Sequence, residues 1–254
     1  FHVPHKPDQD AVPLEKHMKR TSKIIVAVLL VLALVLIGFS FMNYLGSHLH
    51  EVVQQGNSFL VRLSLLGGAD VNELIADERV AKAGETSPLF IAMSYNANEK
   101  VVRHLLKAGA DIDFEYFDGS TVWFEAAQYN SHPHVIRLLV DAGCDVHDQF
   151  RRLDAREGTA LMYAILYNSP EVVQALIDVG SDVNAENYNN YRPLHVAITS
   201  YSNADIVKKL LQAGADVSWR TRAGETPLHI VVQDDLAYIN NQHSDVPQIV
   251  SMLI

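Results

Sequence analysis

At 254 residues the chain has room for one large domain or two small ones, and 48% hydrophobic with 20% charged residues excludes a disordered or supercharged sequence. Twenty basic against 30 acidic side chains leave a formal charge of −10, which argues against nucleic acid as the partner, because phosphate binding needs a basic face. The single cysteine, Cys144, excludes an intramolecular disulfide framework and any multi-cysteine zinc site.

Residues 1–23 form a short tail whose end is basic, with Lys16, Lys19, Arg20 and Lys23. Met18 opens the string MKRTSK, which reads as a bacterial start, so residues 1–17 are expected to be an extension ahead of it. Ile24 to Met42 then reads IIVAVLLVLALVLIGFSFM, with no charge and only Ser40 polar. As a helix this segment spans about 28 Å, close to the hydrocarbon thickness of a bilayer. Helices of soluble proteins nearly always show a polar face, which argues against the alternative of a buried core helix. A cleaved signal peptide would have a shorter apolar run and small residues before the cut, for which Gly38 and Ser40 make only a weak site. The expectation is one transmembrane helix or signal anchor over residues 24–42. Positive flanks stay on the cytoplasmic side. That puts the N-terminus in the cytoplasm and everything after residue 43 across the membrane, in the periplasm of a Gram-negative cell.

Beyond the span one turn recurs. GGAD ends at Asp70, GAD at Asp111, GCD at Asp145, GSD at Asp182 and GAD at Asp216, at spacings of 41, 34, 37 and 34. Val or Ile follows each aspartate. A second landmark lies upstream of the last four turns: SPLF at 87–90, TVWF at 121–124, TALM at 159–162 and RPLH at 192–195. TPLH at 226–229 opens a sixth unit. Self-similarity at this period means a stack of repeated units.

Each second landmark predicts a helix start. Pro88, Pro193 and Pro227 sit where a missing N–H costs no hydrogen bond, and Val122 and Ala160 take that place in the other units. The helix is short and closes on Tyr95–Asn96, Tyr129–Asn130 and Tyr167–Asn168, with asparagine expected in the left-handed conformation. A second helix is expected behind Asn98, Ser131, Ser169 and Asn203 as caps. Its buried face repeats in register: Val101, Val102, Leu105 and Leu106; Val135, Ile136, Leu139 and Val140; Val172, Val173, Leu176 and Ile177; Ile206, Val207, Leu210 and Leu211. Gly109, Gly143, Gly180 and Gly214 are expected to stop these helices. The stretches 71–86 and 147–157 exceed the period and predict extended hairpins. The sixth unit carries an insertion, DDLAYINNQHSDVP, before Ile249 and stops at Ile254 inside its second helix. Ile249, Val250, Leu253 and Ile254 are then expected to lie uncovered unless the natural chain continues.

The T-P-L-H and R-P-L-H strings, with five G-A-D-V variants, make residues 49–254 resemble ankyrin repeats. The resemblance implies an α fold: an ankyrin-repeat solenoid of helix-turn-helix units with hairpin fingers, here preceded by the transmembrane helix. About six repeats fit, the first a cap and the last incomplete. No unit of this size buries its own apolar face, so neighbours bury each other's in one continuous core. The resemblance also makes His195 and His229 structural bridges between neighbouring turns.

Little in the sequence points to catalysis. His132 and His134, or His48 and His50, lack a third ligand at metal-binding spacing. Cys144 fills a place that wants a small side chain and reads as packed rather than nucleophilic. No phosphate-binding glycine loop and no G-x-S-x-G string occurs. The expectation is no enzyme, no cofactor, no metal and a protein partner. In stacks of this family the hairpin tips and the exposed side of the first helices line a groove. The resemblance places Tyr95, Tyr129 and Tyr167 there, with Tyr201 near the equivalent position. Tyrosine supplies rigid contact area with a hydrogen-bonding end; the competing reading is that each ring only packs on the next repeat. The finger tips add Tyr116, Phe117 and Asp118; Tyr188, Asn189, Asn190 and Tyr191; and Arg222 with Glu225. The acidic balance suits a partner surface of basic character. Two alternatives remain open: the repeats position an active domain beyond residue 254, or the protein is exported and soluble after loss of its first segment.

Overall fold

The computed structural model describes residues 29–32, 34–38, 40–41, 44, 47–76, 85–116, 118–151, 157–187, 189–200, 203–237 and 245–254. The N-terminal tail, and with it the reading of residues 1–17, lies outside these. So does part of the expected span 24–42. Its described residues between 29 and 41 are helical with exposed apolar side chains, Leu34 and Leu36 among them. Among the described residues no helix is long and apolar enough to cross a membrane.

The rest is built from helix pairs. Leu49–Gln54 (α1) and Ser58–Leu66 (α2) form the first, Pro88–Ser94 (α3) and Glu99–Lys107 (α4) the second, Val122–Tyr129 (α5) and Pro133–Ala142 (α6) the third. Ala160–Tyr167 (α7) and Pro170–Asp178 (α8), Pro193–Thr199 (α9) and Ala204–Gln212 (α10), and Pro227–Ala237 (α11) and Val246–Leu253 (α12) complete the series. Each odd helix packs on the next odd helix and each even helix on the next even one. Two parallel rows result, with the core between them. The expected landmarks all coincide with helix starts: Pro88, Val122, Ala160, Pro193 and Pro227 each open an odd helix.

Local chemistry accounts for the boundaries. Ser87 accepts a hydrogen bond from the Phe90 N–H at 3.2 Å, Thr159 from Met162 at 3.4 Å and Asn203 from Asp205 at 2.8 Å. Asn98 accepts from both Lys100 and Val101. These side chains satisfy donors that have no acceptor within the helix. Ser169 occupies the cap position of α8, but its side chain makes no capping bond to the helix backbone. Ser131 falls one residue ahead of the cap of α6, His132, and bonds Asn96 instead. The even helices bury the expected seam: Val101, Val102 and Leu105 are fully enclosed, as are Val135, Ile136, Leu139, Val172, Val173, Leu176, Val207 and Leu210. The fourth seam residue, such as Leu106 or Val140, is half-buried. Gly143 closes α6 at φ 114°, where a Cβ would be strained.

Both long stretches contain the expected hairpins. Ile75–Ala76 (β1) pairs antiparallel with Glu85–Thr86 (β2), and Gln149–Arg151 (β3) with Glu157–Thr159 (β4). In the last pair, Ile249 and Leu253 are buried against the preceding helices, contrary to the uncovered edge expected, while Ile254 is exposed.

The asparagines that follow the odd helices depart from expectation. Asn96 is left-handed at φ 56°, but Asn130 and Asn168 are extended. Their side chains are used across the stack instead. Asn130 Nδ2 donates to the Ala97 carbonyl at 3.0 Å, and Asn168 Nδ2 to the Ala127 carbonyl at 2.9 Å. The fingers are tied in the same manner. Asn72 donates to the Gly109 carbonyl at 3.0 Å and accepts from the Asp111 N–H at 2.8 Å; Asn184 repeats this with Gly214 and Asp216. These reciprocal bonds join neighbouring fingers within each such pair.

Candidate functional site

The fingers and odd-helix ends carry the residues of interest, and their burial separates them. Tyr129 and Tyr167 are the last residues of α5 and α7 and are 50% and 49% exposed. Gln128 Nε2 donates to the Tyr129 hydroxyl oxygen at 3.0 Å. The Tyr167 ring lies 6.3 Å from the buried Tyr163 ring, which in turn meets Phe124 of α5 edge-on at 5.9 Å. The two exposed rings therefore stand at the same register on adjacent helices, backed by an aromatic contact that crosses between them. Leu166 is also exposed beside Tyr167. It carries no sequence signal, because an apolar residue in an apolar helix reads as core.

Other expected residues separate from this pair. Tyr95 occupies the corresponding end of α3 but is half-buried against the core. Tyr116, expected on an exposed tip, is only 8% exposed: its ring stacks on Phe90 at 4.9 Å, and Phe90 also meets Phe114 edge-on. The finger does have a core to fill, the start of α3. Tyr191 is likewise half-buried and meets His195 edge-on at 5.8 Å. Asp118 turns inward to its own loop, accepting from the Ser120 N–H at 3.0 Å. Asn189 and Arg222 are exposed on adjacent fingers, and the Arg222 N–H donates to the Asn189 carbonyl at 3.5 Å. The Glu225 carbonyl accepts from the Thr221 N–H at 2.9 Å in the tight turn of its finger. Phe117, Tyr188 and Tyr201 lie outside the described residues.

One support was not legible. Arg192 bridges Glu186 at 3.0 Å and Asp216 at 3.3 Å and lies 3.5 Å above the Trp219 ring. An arginine ahead of a P-L-H string gives no hint of a ring that lies on the next finger. Beneath it His195 is fully buried: Nδ1 accepts from the Arg192 N–H at 3.4 Å and Nε2 donates to the Trp219 carbonyl at 3.2 Å. That pair of bonds fixes a neutral ring bridging two turns, and burial pushes its pKa down, with Arg192 adding to the shift. His229 is exposed and meets Thr226 Oγ1 at 2.6 Å.

A pH dependence follows. The unfolded imidazole takes up a proton near pH 6.5, and the folded one only at lower pH. The stability contributed by neutral His195 is therefore complete above about pH 6.5 and falls on acidification toward the folded pKa. His50, buried with Nε2 at 2.9 Å from the Glu73 carbonyl, is shifted down in the same sense by burial. Urea midpoints are expected to drop between about pH 6.5 and 5, before most carboxylates titrate. His195→Asn is expected to lower stability throughout but to flatten that slope.

Chemistry beyond recognition finds little here. Among the described residues no group of three or more His, Cys, Asp or Glu side chains is placed to hold a metal ion. The Cys144 thiol is pushed up to about 12, first by burial and then by Asp113 and Asp148. At neutral pH it is a packed thiol, not a nucleophile.

Comparison with known families gives one result. The model described as ankyrin repeats (3 copies) matches residues 49–150 and again residues 124–221. No curated protein matches the chain.

Proposed function

Because the chain belongs to the ankyrin-repeat family, whose stacked helix pairs serve as protein-interaction modules, we propose that it binds a partner protein through the odd-helix row and is held at a membrane by residues 24–42. The single observation that carries the binding half is the pair Tyr129 and Tyr167, half exposed at one register of adjacent helices whose remaining large rings are buried. About half of each tyrosine's surface still faces water in the folded chain. Each ring offers a partner rigid contact area and a hydroxyl, the features common at binding hot spots. Leu166 extends the patch, and Asn189 and Arg222 supply polar groups on the fingers. Tyr116 is excluded from the contact surface by its burial.

The anchor half rests on the uncharged run from Ile24 to Met42 and on the four basic residues before it. It places the repeats on the side opposite the N-terminus. The fold class favours recognition over catalysis: the site residues share exposure and shape but no acid–base pair or nucleophile.

Co-purification tests the binding half. Tyr129→Ala with Tyr167→Ala is expected to lose the partners that the parent chain captures, while its unfolding free energy stays within about 1 kcal/mol of the parent. If the double variant retains every partner, the rings are structural and the proposal fails. A reporter active only in the periplasm, fused after Ile254 in a Gram-negative host, tests the orientation; an inactive reporter reverses it.

A further inference from the structure

The even-helix row faces away from the tyrosine patch, and its outward residues change character along the stack. Counted from the first residue of each even helix, the second, fifth and ninth positions fall on one face, opposite the buried seam. On α2 these are Phe59, Arg62 and Leu66, with Phe59 69% and Leu66 71% exposed. On α4 they are Lys100, Arg103 and Lys107, all exposed. The same register reads His134, Arg137 and Asp141 on α6, then Glu171, Gln174 and Asp178 on α8. The chain as a whole is acidic, yet this face begins apolar and cationic and turns acidic three pairs later.

Two observations join α2 and α4 into one surface. The helices pack directly on each other. His104 of α4 is held below its usual pKa first by burial, and then by the charges of Arg62 on α2 and Lys107 on its own helix. Glu99 pairs with Arg103 and offsets part of the charge, leaving the surface cationic.

We propose that this face of the first two helix pairs rests on an anionic lipid surface, with Phe59 and Leu66 entering the headgroup boundary and Arg62, Lys100, Arg103 and Lys107 on lipid phosphates. It rests on the anchor reading, which supplies its strongest argument. Only seven residue steps separate Met42 from Leu49, a reach of about 25 Å at full extension. The first helix pair therefore begins no more than about 25 Å from the end of the span. Two large apolar side chains exposed there have no core to fill, and basic side chains beside them match anionic headgroups. An acidic protein would be matched by the cations but gives no reason for Phe59 and Leu66.

The test uses the full chain reconstituted into vesicles of phosphatidylcholine alone or mixed with phosphatidylglycerol. In a Cys144→Ala background, Phe59→Cys and Gln174→Cys each carry a polarity-sensitive fluorophore. The label at 59 is expected to report a dry environment in anionic vesicles and water in neutral ones, and the label at 174 water in both. Lys100→Glu with Lys107→Glu is expected to abolish the difference, since each cation removed costs about fivefold in preference for anionic lipid. Water at 59 in anionic vesicles overturns the proposal. So does shielding that follows protein concentration instead of lipid charge, the mark of a second copy. Alkaline extraction of the same vesicles separates the two readings. A chain that stays with the lipid but shows a wet label fails only the surface proposal. A chain that washes out fails the anchor reading; the surface proposal then stands if the chain sedimented with anionic vesicles alone before extraction, and falls if it did not.

Discussion

Trp123→Ala is expected to remove about 3–5 kcal/mol of unfolding free energy, because Trp123 is the largest fully buried side chain among the described residues. Trp123 lies on α5, is 2% exposed, and belongs to the continuous core. Its helix packs on α3 on one side and α7 on the other. In a stack held by nearest-neighbour contacts, a cavity at a central pair weakens two interfaces at once. Urea unfolding followed by circular dichroism is therefore expected to move to lower urea and to broaden as the two halves uncouple. The indole N–H has no hydrogen-bond partner among the described residues. Trp123→Phe, which keeps most of the volume, is accordingly expected to lose less than half as much. A loss below about 1 kcal/mol for the alanine variant would mean that the third pair is not packed between its neighbours.

Asn130→Ala comes next. Asn130 is fully buried and tied in three directions. Its Nδ2 donates to the Ala97 carbonyl at 3.0 Å, its Oδ1 accepts from the His132 N–H at 3.0 Å, and its own carbonyl accepts from Asn168 Nδ2 at 3.2 Å. One side chain thus bonds the preceding unit and the start of α6, while its backbone receives the following unit. Truncation removes both side-chain bonds and leaves the Ala97 carbonyl and His132 N–H without that partner, a cost of about 2–3 kcal/mol. Asn130→Asp separates the donor from the acceptor. A carboxylate still accepts from His132 but confronts the Ala97 carbonyl with negative charge. The aspartate variant is expected to be weakest at neutral pH and to regain stability on acidification, opposite in sign to the loss expected from His195. Equal urea midpoints for Asn130→Ala and the parent would remove the amide bridge from the account of the stack.

The sequence made the units legible because their boundaries are set by local chemistry. Proline at 88, 193 and 227 marks a helix start wherever it stands, and glycine at 109, 143, 180 and 214 marks a stop, for reasons confined to the residue's own backbone. What crosses between units was harder to read. Asn96, Asn130 and Asn168 look alike in sequence, and local reasoning assigns all three to the left-handed region. Only Asn96 goes there; the amides of the other two reach back to carbonyls on the preceding unit. Tyr116 looked exposed because its contact, Phe90, lies 26 positions away on another unit. Phe59, Leu66 and Leu166 carry no signal of exposure in the sequence because their helices are apolar, and the packed structure shows them open to solvent. The exposed pair Tyr129 and Tyr167 was legible as a column, but its separation from Tyr95 was not, since burial at the second unit depends on what lies beside it.

Hydrogen exchange of the full chain, alone and with its co-purified partner, tests the central claim most directly. The expected result is added protection at residues 122–130 and 160–168, the two helices that carry Tyr129 and Tyr167 with the residue after each, while the even helices α6 and α8 stay unchanged. Protection confined to the even helices, or none at either odd helix, would contradict a partner surface on the tyrosine row.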